Sequence, residues 1–269
     1  MASTPSSQPS HLTNNGVLIL WGCVDPNTVD EEALNDWWTN EHLPERIRLP
    51  GFRQAHRYRA LERKHGKNEY LALYEASDTE DLASEEYLHA LNNPTERTVQ
   101  FMPCLARMNR FACNKIWFKH SPVSISDQRS KTPNLLFLVV YHCDDSAAGL
   151  GHAPVRLIRE HLEKRHPDHV DSTQILEVNP HITRAGSSSK SYDGVQFFQF
   201  DSADGGNATK TANKFIALFY IADGSATGNP LDSEWLDHVA NSLGSTGIHV
   251  EFVNSYELIA SLRESSIAC

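Results

Sequence analysis

Apolar and polar positions along this chain fall into blocks that spell the same order of elements twice. Val17 to Val24, VLILWGCV, is a short apolar run of strand length. Asp25-Pro26-Asn27 breaks it, and Thr28 with Glu31 reads as a capping box opening a helix through EEALNDWWTNEHL. Pro44 disfavours helical geometry at Leu43, and Pro50-Gly51 ends whatever continues beyond it. FRQAHRYRAL and YLALYEAS are the next two strands, with the polar RKHGKNE stretch turning between them. A helical stretch over roughly Thr79 to Asn92 and a strand in LARMNRFACNKIWF complete a βαββαβ unit.

The order then recurs. NLLFLVVYHC, from Asn134 to Cys143, is a strand, Pro154 to His166 a helix, and STQILEVNPHITR a strand. Lys214 to Ile221, KFIALFYI, is the third strand. SEWLDHVANSLG is a helix with a C-terminal glycine, and GIHVEFVNSYELI closes the unit. Glu41-His42-Leu43 in the first unit is echoed by Glu160-His161-Leu162 in the second. The expected organisation is a tail over 1–15, one repeat over 16–119, a Ser- and Pro-rich linker over 120–133, and a second repeat over 134–269 with an insertion near 186–212. The fold class is α+β: tandem ferredoxin-like repeats forming an intramolecular barrel.

A four-stranded sheet with helices on one face needs its other face covered. Leu18, Leu20, Leu71, Leu73, Leu135, Phe137, Phe215, Ala217 and Phe219 lie at alternate strand positions. They are expected to meet across the two sheets and enclose an apolar chamber, since barrels of about eight strands can hold one small ligand. Polar strand residues (His56, Tyr58, Tyr70, Tyr74, Arg107, Asn109, His181 and His249) are candidates to line it.

Leu34, Trp38 and His42 are spaced by four and share a helix face. Leu157 and His161 repeat the arrangement. A histidine on a face that packs against a sheet is either satisfied structurally or turned toward a ligand. Trp37 and Trp38 offer a flat aromatic surface beside His42, and imidazole titrates near working pH, so His42 is the candidate acid/base.

Composition excludes other classes. Hydrophobic residues make up 40% and charged residues 22%, which fits a folded soluble chain. Lys plus Arg number 24 against 34 Asp plus Glu, a net charge of −10 with no basic run, so nucleic acid and anionic lipid are not expected partners. Five cysteines without CxxC spacing point to reduced thiols. No apolar stretch reaches membrane-spanning length, and MASTPSSQPSHLTNN has neither the basic start nor the apolar core of a signal peptide; a cytoplasmic location is expected. His161, His166 and His169 lack metal-ligand spacing, so no metal is expected. GxSxG, Walker A and GxGxxG are absent, which counts against a serine hydrolase, a P-loop NTPase and a Rossmann dehydrogenase.

The stretch WWTNEHLPERIRLPGFRQAHRY, residues 37–58, resembles the EthD-like branch of the dimeric α+β barrel superfamily. The residues that carry the resemblance are Trp37, Trp38, His42, Pro44, Leu49, Pro50 and Gly51. The second half lacks the Leu-Pro-Gly turn. Such domains include cofactor-free decarboxylases, aldol cyclases, dehydratases and quinone-forming monooxygenases, together with haem-bearing and non-catalytic members. The resemblance implies a cavity-facing His42.

The leading expectation is a lyase or cyclase without cofactor, acting on a polyketide-like or aromatic molecule. His42 moves the proton, and Tyr58, Tyr74 or His56 holds the oxygen on which charge develops. Trp37, Trp38, Leu20, Arg107, Asn109 and His161 are the expected substrate contacts. The alternatives are a cofactor-free or haem-dependent oxygenase in the same pocket, or a ligand-binding protein without chemistry. Duplication lets one chain supply both sheets, as a monomer or within a homodimer.

Overall fold

A computed structural model describes residues 15–63, 65–120, 134–143, 155–156, 160, 170–198, 214–221 and 247–266. Apart from Asn15 and His120, the expected tail and linker lie outside these residues. So do His161, the helix expected over 233–244 and most of that expected over 154–166.

Eight strands form a closed barrel. They are β1 (Gly16–Val24), β2 (Phe52–Ala60), β3 (Asn68–Ala76), β4 (Ala106–His120), β5 (Leu135–Cys143), β6 (Val170–Val178), β7 (Lys214–Ile221) and β8 (Ile248–Arg263). Their order around the barrel is β1-β3-β2-β8-β5-β7-β6-β4. The circle contains two four-stranded sheets of matching order, 4-1-3-2 and 8-5-7-6, joined at the β2–β8 and β4–β6 seams. Every pairing is antiparallel. This is the tandem ferredoxin-like barrel that the element order calls for. Among the described residues no helix is long and apolar enough to cross a membrane.

Three apolar layers follow from strand alternation. Val17, Ile19, Trp21, Tyr58, Leu71, Leu73, Phe111, Leu136, Leu138, Leu176, Ile216, Leu218 and Tyr256 pack as one cluster with contributions from all eight strands. Only the barrel interior can gather all eight. The opposite face of β1–β4 packs under the first unit's helices, with Leu18, Leu20, Ala72 and Tyr74 against Leu34, Trp38, Leu43 and Ile47. A third cluster lies on the outer face of the second sheet and includes Phe137, Phe215, Ala217 and Phe219.

The expected lining of the chamber is therefore mostly wrong. Leu71 and Leu73 face the interior, whereas Leu18 and Leu20 face the first unit's helices and Phe137, Phe215, Ala217 and Phe219 lie on the outer face of the second sheet. Strands buried on both faces are apolar at every position, and such a run carries no phase.

The helices also differ from expectation. Thr28 is not the cap, because its Oγ1 turns back to the Asp25 carbonyl at 3.3 Å. Asp30 caps α1 (Glu31–Asp36), accepting from the Ala33 amide at 3.0 Å. The stretch expected at Thr79–Asn92 divides at Ser84. A 3₁₀ turn over Glu80–Ala83 precedes α3 (Glu85–Asn92), and Ser84 caps α3 through the Tyr87 amide. The segment before β4 adds α4 (Glu96–Phe101), capped by Thr95. Asn179-Pro180-His181-Ile182-Thr183-Arg184 does not extend β6. Asn179 accepts from the Ile182 amide, and Pro180 starts α5 (Pro180–Ser187), whose first position needs no amide hydrogen. His181 is thus an exposed helical residue rather than a strand residue.

Helix α5 comes from the second unit but packs on β4 of the first. Thr183 exchanges hydrogen bonds with Ala112, accepting from its amide at 2.9 Å. A Cβ at Gly186 would stand 2.2 Å from the Arg110 guanidinium, so this close approach requires glycine. Ile182 and Tyr192 join the first unit's core. Ser191 Oγ donates to the Leu91 carbonyl at 2.7 Å and ties the segment to α3.

Candidate functional site

The helix that carries Trp37, Trp38 and His42 widens into a π-helical segment, Trp37–His42, between α1 and α2 (Leu43–Ile47). Pro44 supplies the physical cause. Its ring would collide with the carbonyl of Asn40 four residues earlier, and it has no amide hydrogen to offer. The chain does not leave the helical region at Leu43, as expected from Pro44; it accommodates the ring by opening one turn. Leu43 N–H bonds the Trp38 carbonyl five residues back. The wider turn brings residues five apart into register, and the Trp37 and His42 rings sit 4.9 Å apart. Such π turns concentrate at functional sites.

His42 is 4% exposed. Its Nδ1 lies 3.7 Å from Glu45 Oε2, too far for a hydrogen bond, and both atoms are buried without a partner among the described residues. Burial, helped by the Arg46 and Arg57 charges, holds the imidazole pKa well below its ordinary value. The ring is therefore neutral and able to accept a proton at neutral pH. Burial pushes the Glu45 carboxyl up.

Around this ring the layer between helices and sheet is unusually polar. Both terminal nitrogens of Arg46 and Trp37 Nε1 are buried and unpaired among the described residues, whereas the Tyr74 hydroxyl has the Trp38 indole N–H as its donor. Buried polar groups are normally paired, so a group of orphans in one layer asks for a ligand or ordered water. Burial raises the Tyr74 phenol, leaving it protonated and able to donate. Trp37 packs on Phe101 at 5.5 Å, and the Arg46 guanidinium lies 6.0 Å from the Tyr87 ring.

Two further guanidinium groups build the walls. Arg57 lies 4.5 Å over the Trp38 ring. It donates to Asn35 O at 3.2 Å, Asn35 Oδ1 at 2.8 Å and Thr39 Oγ1 at 2.5 Å, fixing the π turn to β2. Burial lowers its pKa to about 10. Arg110 donates to the Tyr192 hydroxyl at 3.2 Å, the Thr183 carbonyl at 3.1 Å and the Tyr87 hydroxyl at 3.2 Å. It joins both units in one network.

The structure divides the residues singled out from sequence. His42, Trp37, Trp38, Tyr74 and Leu20 share the helix–sheet layer. Strand pairing puts His56 opposite Leu73 and Tyr58 opposite Leu71, both on the barrel interior. The sheet thus separates them from His42, and a chamber between the sheets is not what the imidazole reaches. Inside the barrel His56 and Tyr58 accompany a buried ion pair, Lys115 Nζ to Glu75 Oε2 at 3.2 Å. Arg107 is exposed, with its guanidinium 4.6 Å from the Phe198 ring, and Asn109 is half-buried nearby, donating to the Arg107 carbonyl. Tyr70 shares its hydroxyl between Asn35 and Glu31 beneath α1, and His249 is exposed.

Sequence reasoning missed Arg46, Arg57, Arg110, Tyr87 and Tyr192. Arg46 was signalled, since it continues the series Leu34, Trp38, His42 by four. Tyr192 carried no signal, being set in a Ser- and Gly-rich stretch.

The described residues contain no group of three His, Cys, Asp or Glu side chains able to hold a metal.

No family model matches the sequence, and no curated protein matches it. Among solved structures, an anthrone oxidase-like protein superposes with a TM-score of 0.53 at 9% identity, covering 94% of both chains. The likeness is one of fold. A provisionally named monooxygenase of Fusobacterium nucleatum gives a TM-score of 0.49 at 6% identity, over 94% of this chain and 96% of that one. A haem-binding protein of Thermus thermophilus gives 0.43 at 11% identity, over 95% and 94%.

Proposed function

We propose that this protein is a cofactor-independent lyase or cyclase whose site is the helix–sheet layer of the first unit. The carrying observation is His42: a buried imidazole with a ring nitrogen unpaired among the described residues, its ring 4.9 Å from that of Trp37 and 3.7 Å from Glu45. Such a base takes a proton from a carbon beside a carbonyl, or returns one to a departing hydroxyl. The buried Tyr74 hydroxyl donates to the oxygen on which charge develops. Trp37 and Trp38 form the wall for a flat, polyketide-like or aromatic molecule, with Leu20 in the same layer. Dehydration and cyclisation begin with this proton transfer, and in decarboxylation the enolate left by departing CO2 gains a proton at the same carbon.

A second reading draws on the same enolate. Reaction with dioxygen in place of bond cleavage makes a cofactor-free oxygenase, and one fold neighbour is named anthrone oxidase-like. Oxygen uptake dependent on substrate separates the two.

Small molecules that co-purify from the native host, identified by mass spectrometry, supply the substrate for the test. Incubated with protein in D2O, the substrate or its product gains deuterium at the carbon beside the carbonyl, at a rate set by protein concentration. A bound molecule recovered unchanged and undeuterated after long incubation means a binding protein and removes the assignment.

A further inference from the structure

Three guanidinium groups are buried between the first unit's helices and sheet, and they are not equivalent. Arg57 is committed to Asn35 and Thr39, and Arg110 is held by Tyr87, Thr183 and Tyr192. Arg46 is 2% exposed, and among the described residues neither terminal nitrogen has a hydrogen-bond partner. The carboxylate beside it, Glu45, stands 3.8 Å from Nη2, outside bonding distance, and its other oxygen faces His42. Burying a charge without hydrogen bonds costs several kcal/mol. A fold keeps such a group where something else completes it.

The chemistry of the missing partner follows from the shape of the open group. Two parallel terminal nitrogens on a planar fork match the two oxygens of a carboxylate, and the pairing is short and charge-assisted. The surroundings choose the rest of the molecule. Tyr87 lies under the guanidinium, with Trp37, Trp38 and Tyr74 in the same packed layer.

We propose that Arg46 is the anion anchor of the site, so that the ligand is an aromatic or polyketide-like acid whose carboxylate pairs with both terminal nitrogens. This rests on the helix–sheet layer being the working site, and it adds the charge of the substrate. Arg46 binds, and His42 works on a more distant carbon.

The probes are 2-naphthoate, its methyl ester and 2-naphthamide, titrated calorimetrically into the full chain. The expected result is that the acid binds at least tenfold more tightly than the ester or amide. Arg46→Gln removes that preference, and Arg46→Lys keeps part of it. His42→Ala retains the preference whether or not His42 transfers protons, so failure of the proton-transfer reading leaves this measurement intact. Equal affinity for acid and ester in the natural chain, no saturable binding of the acid, or an unchanged preference in a folded Arg46→Gln chain would each overturn the anchor.

Discussion

Conversion of His42 to alanine is expected to lower turnover by about 10²–10⁴-fold, the range over which positioned acid/base groups act. The ring is buried, so its loss also opens a cavity, at a cost of the order of 1–3 kcal/mol to the fold. Circular dichroism separates the two effects, since a folded chain without turnover isolates the chemistry. The pH profile carries a sharper signature. Glu45 and Arg46 on its own helix and Arg57 from β2 are the charged groups that face the imidazole. Burial and the two cations depress its pKa, so the base form persists below the ordinary imidazole range. The acid limb of kcat/KM should therefore fall well under pH 6.5, the value of an unperturbed ring.

The same shift has a stability consequence. An imidazole with a depressed folded pKa binds fewer protons folded than unfolded. Its stabilising contribution is complete above the unfolded value and is lost as pH falls below it, with a slope of at most about 1.4 kcal/mol per pH unit. His56, also depressed by burial although Glu75 opposes the effect, acts in the same direction. Glu45, raised by burial, acts in the opposite one. In His42→Ala the acid-side fall in stability becomes shallower.

Replacing Lys115 by methionine is expected to destabilise the barrel by about 3–5 kcal/mol. Lys115 and Glu75 are 8% and 6% exposed, and their ion pair sits within the barrel interior. Removing the cation leaves a carboxylate in an apolar interior beside Leu73 and Leu176. The penalty comes from stranding that charge rather than from the worth of the pair itself. Accordingly Glu75→Leu with Lys115→Met should recover most of the loss, since well-packed apolar replacements of buried pairs are often neutral or better. Urea unfolding of the two chains reads the difference. A cost below about 1 kcal/mol for the single variant would place the pair in water, as surface ion pairs behave.

The architecture was legible because turn residues punctuate apolar runs. Asp25-Pro26-Asn27, Pro50-Gly51 and the Gly- and Ser-rich stretches mark where elements end. Facing was not legible. In β1 both Leu18 and Ile19 are buried, one under helices and one in the barrel, and apolarity alone does not say which. The cap moved from Thr28 to Asp30 because two neighbouring residues can both accept an amide, and backbone path decides between them. His42 was visible through its spacing from Trp38. Trp37 was expected beside it together with Trp38, but the register that brings the Trp37 and His42 rings to 4.9 Å was not, because a π turn changes the register and Pro44 reads as a breaker instead of a widener. Arg110 and Tyr192 lie 82 residues apart, and their meeting depends on α5 crossing to the other unit's sheet.

The state of the His42 ring is the direct test. Heteronuclear NMR of imidazole-labelled protein, with His42→Ala to assign the resonance, follows its protonation across pH. The account predicts a ring that stays neutral from pH 8 to well below 6.5, protected from solvent exchange. A ring that gains its proton at or above pH 6.5 would contradict it.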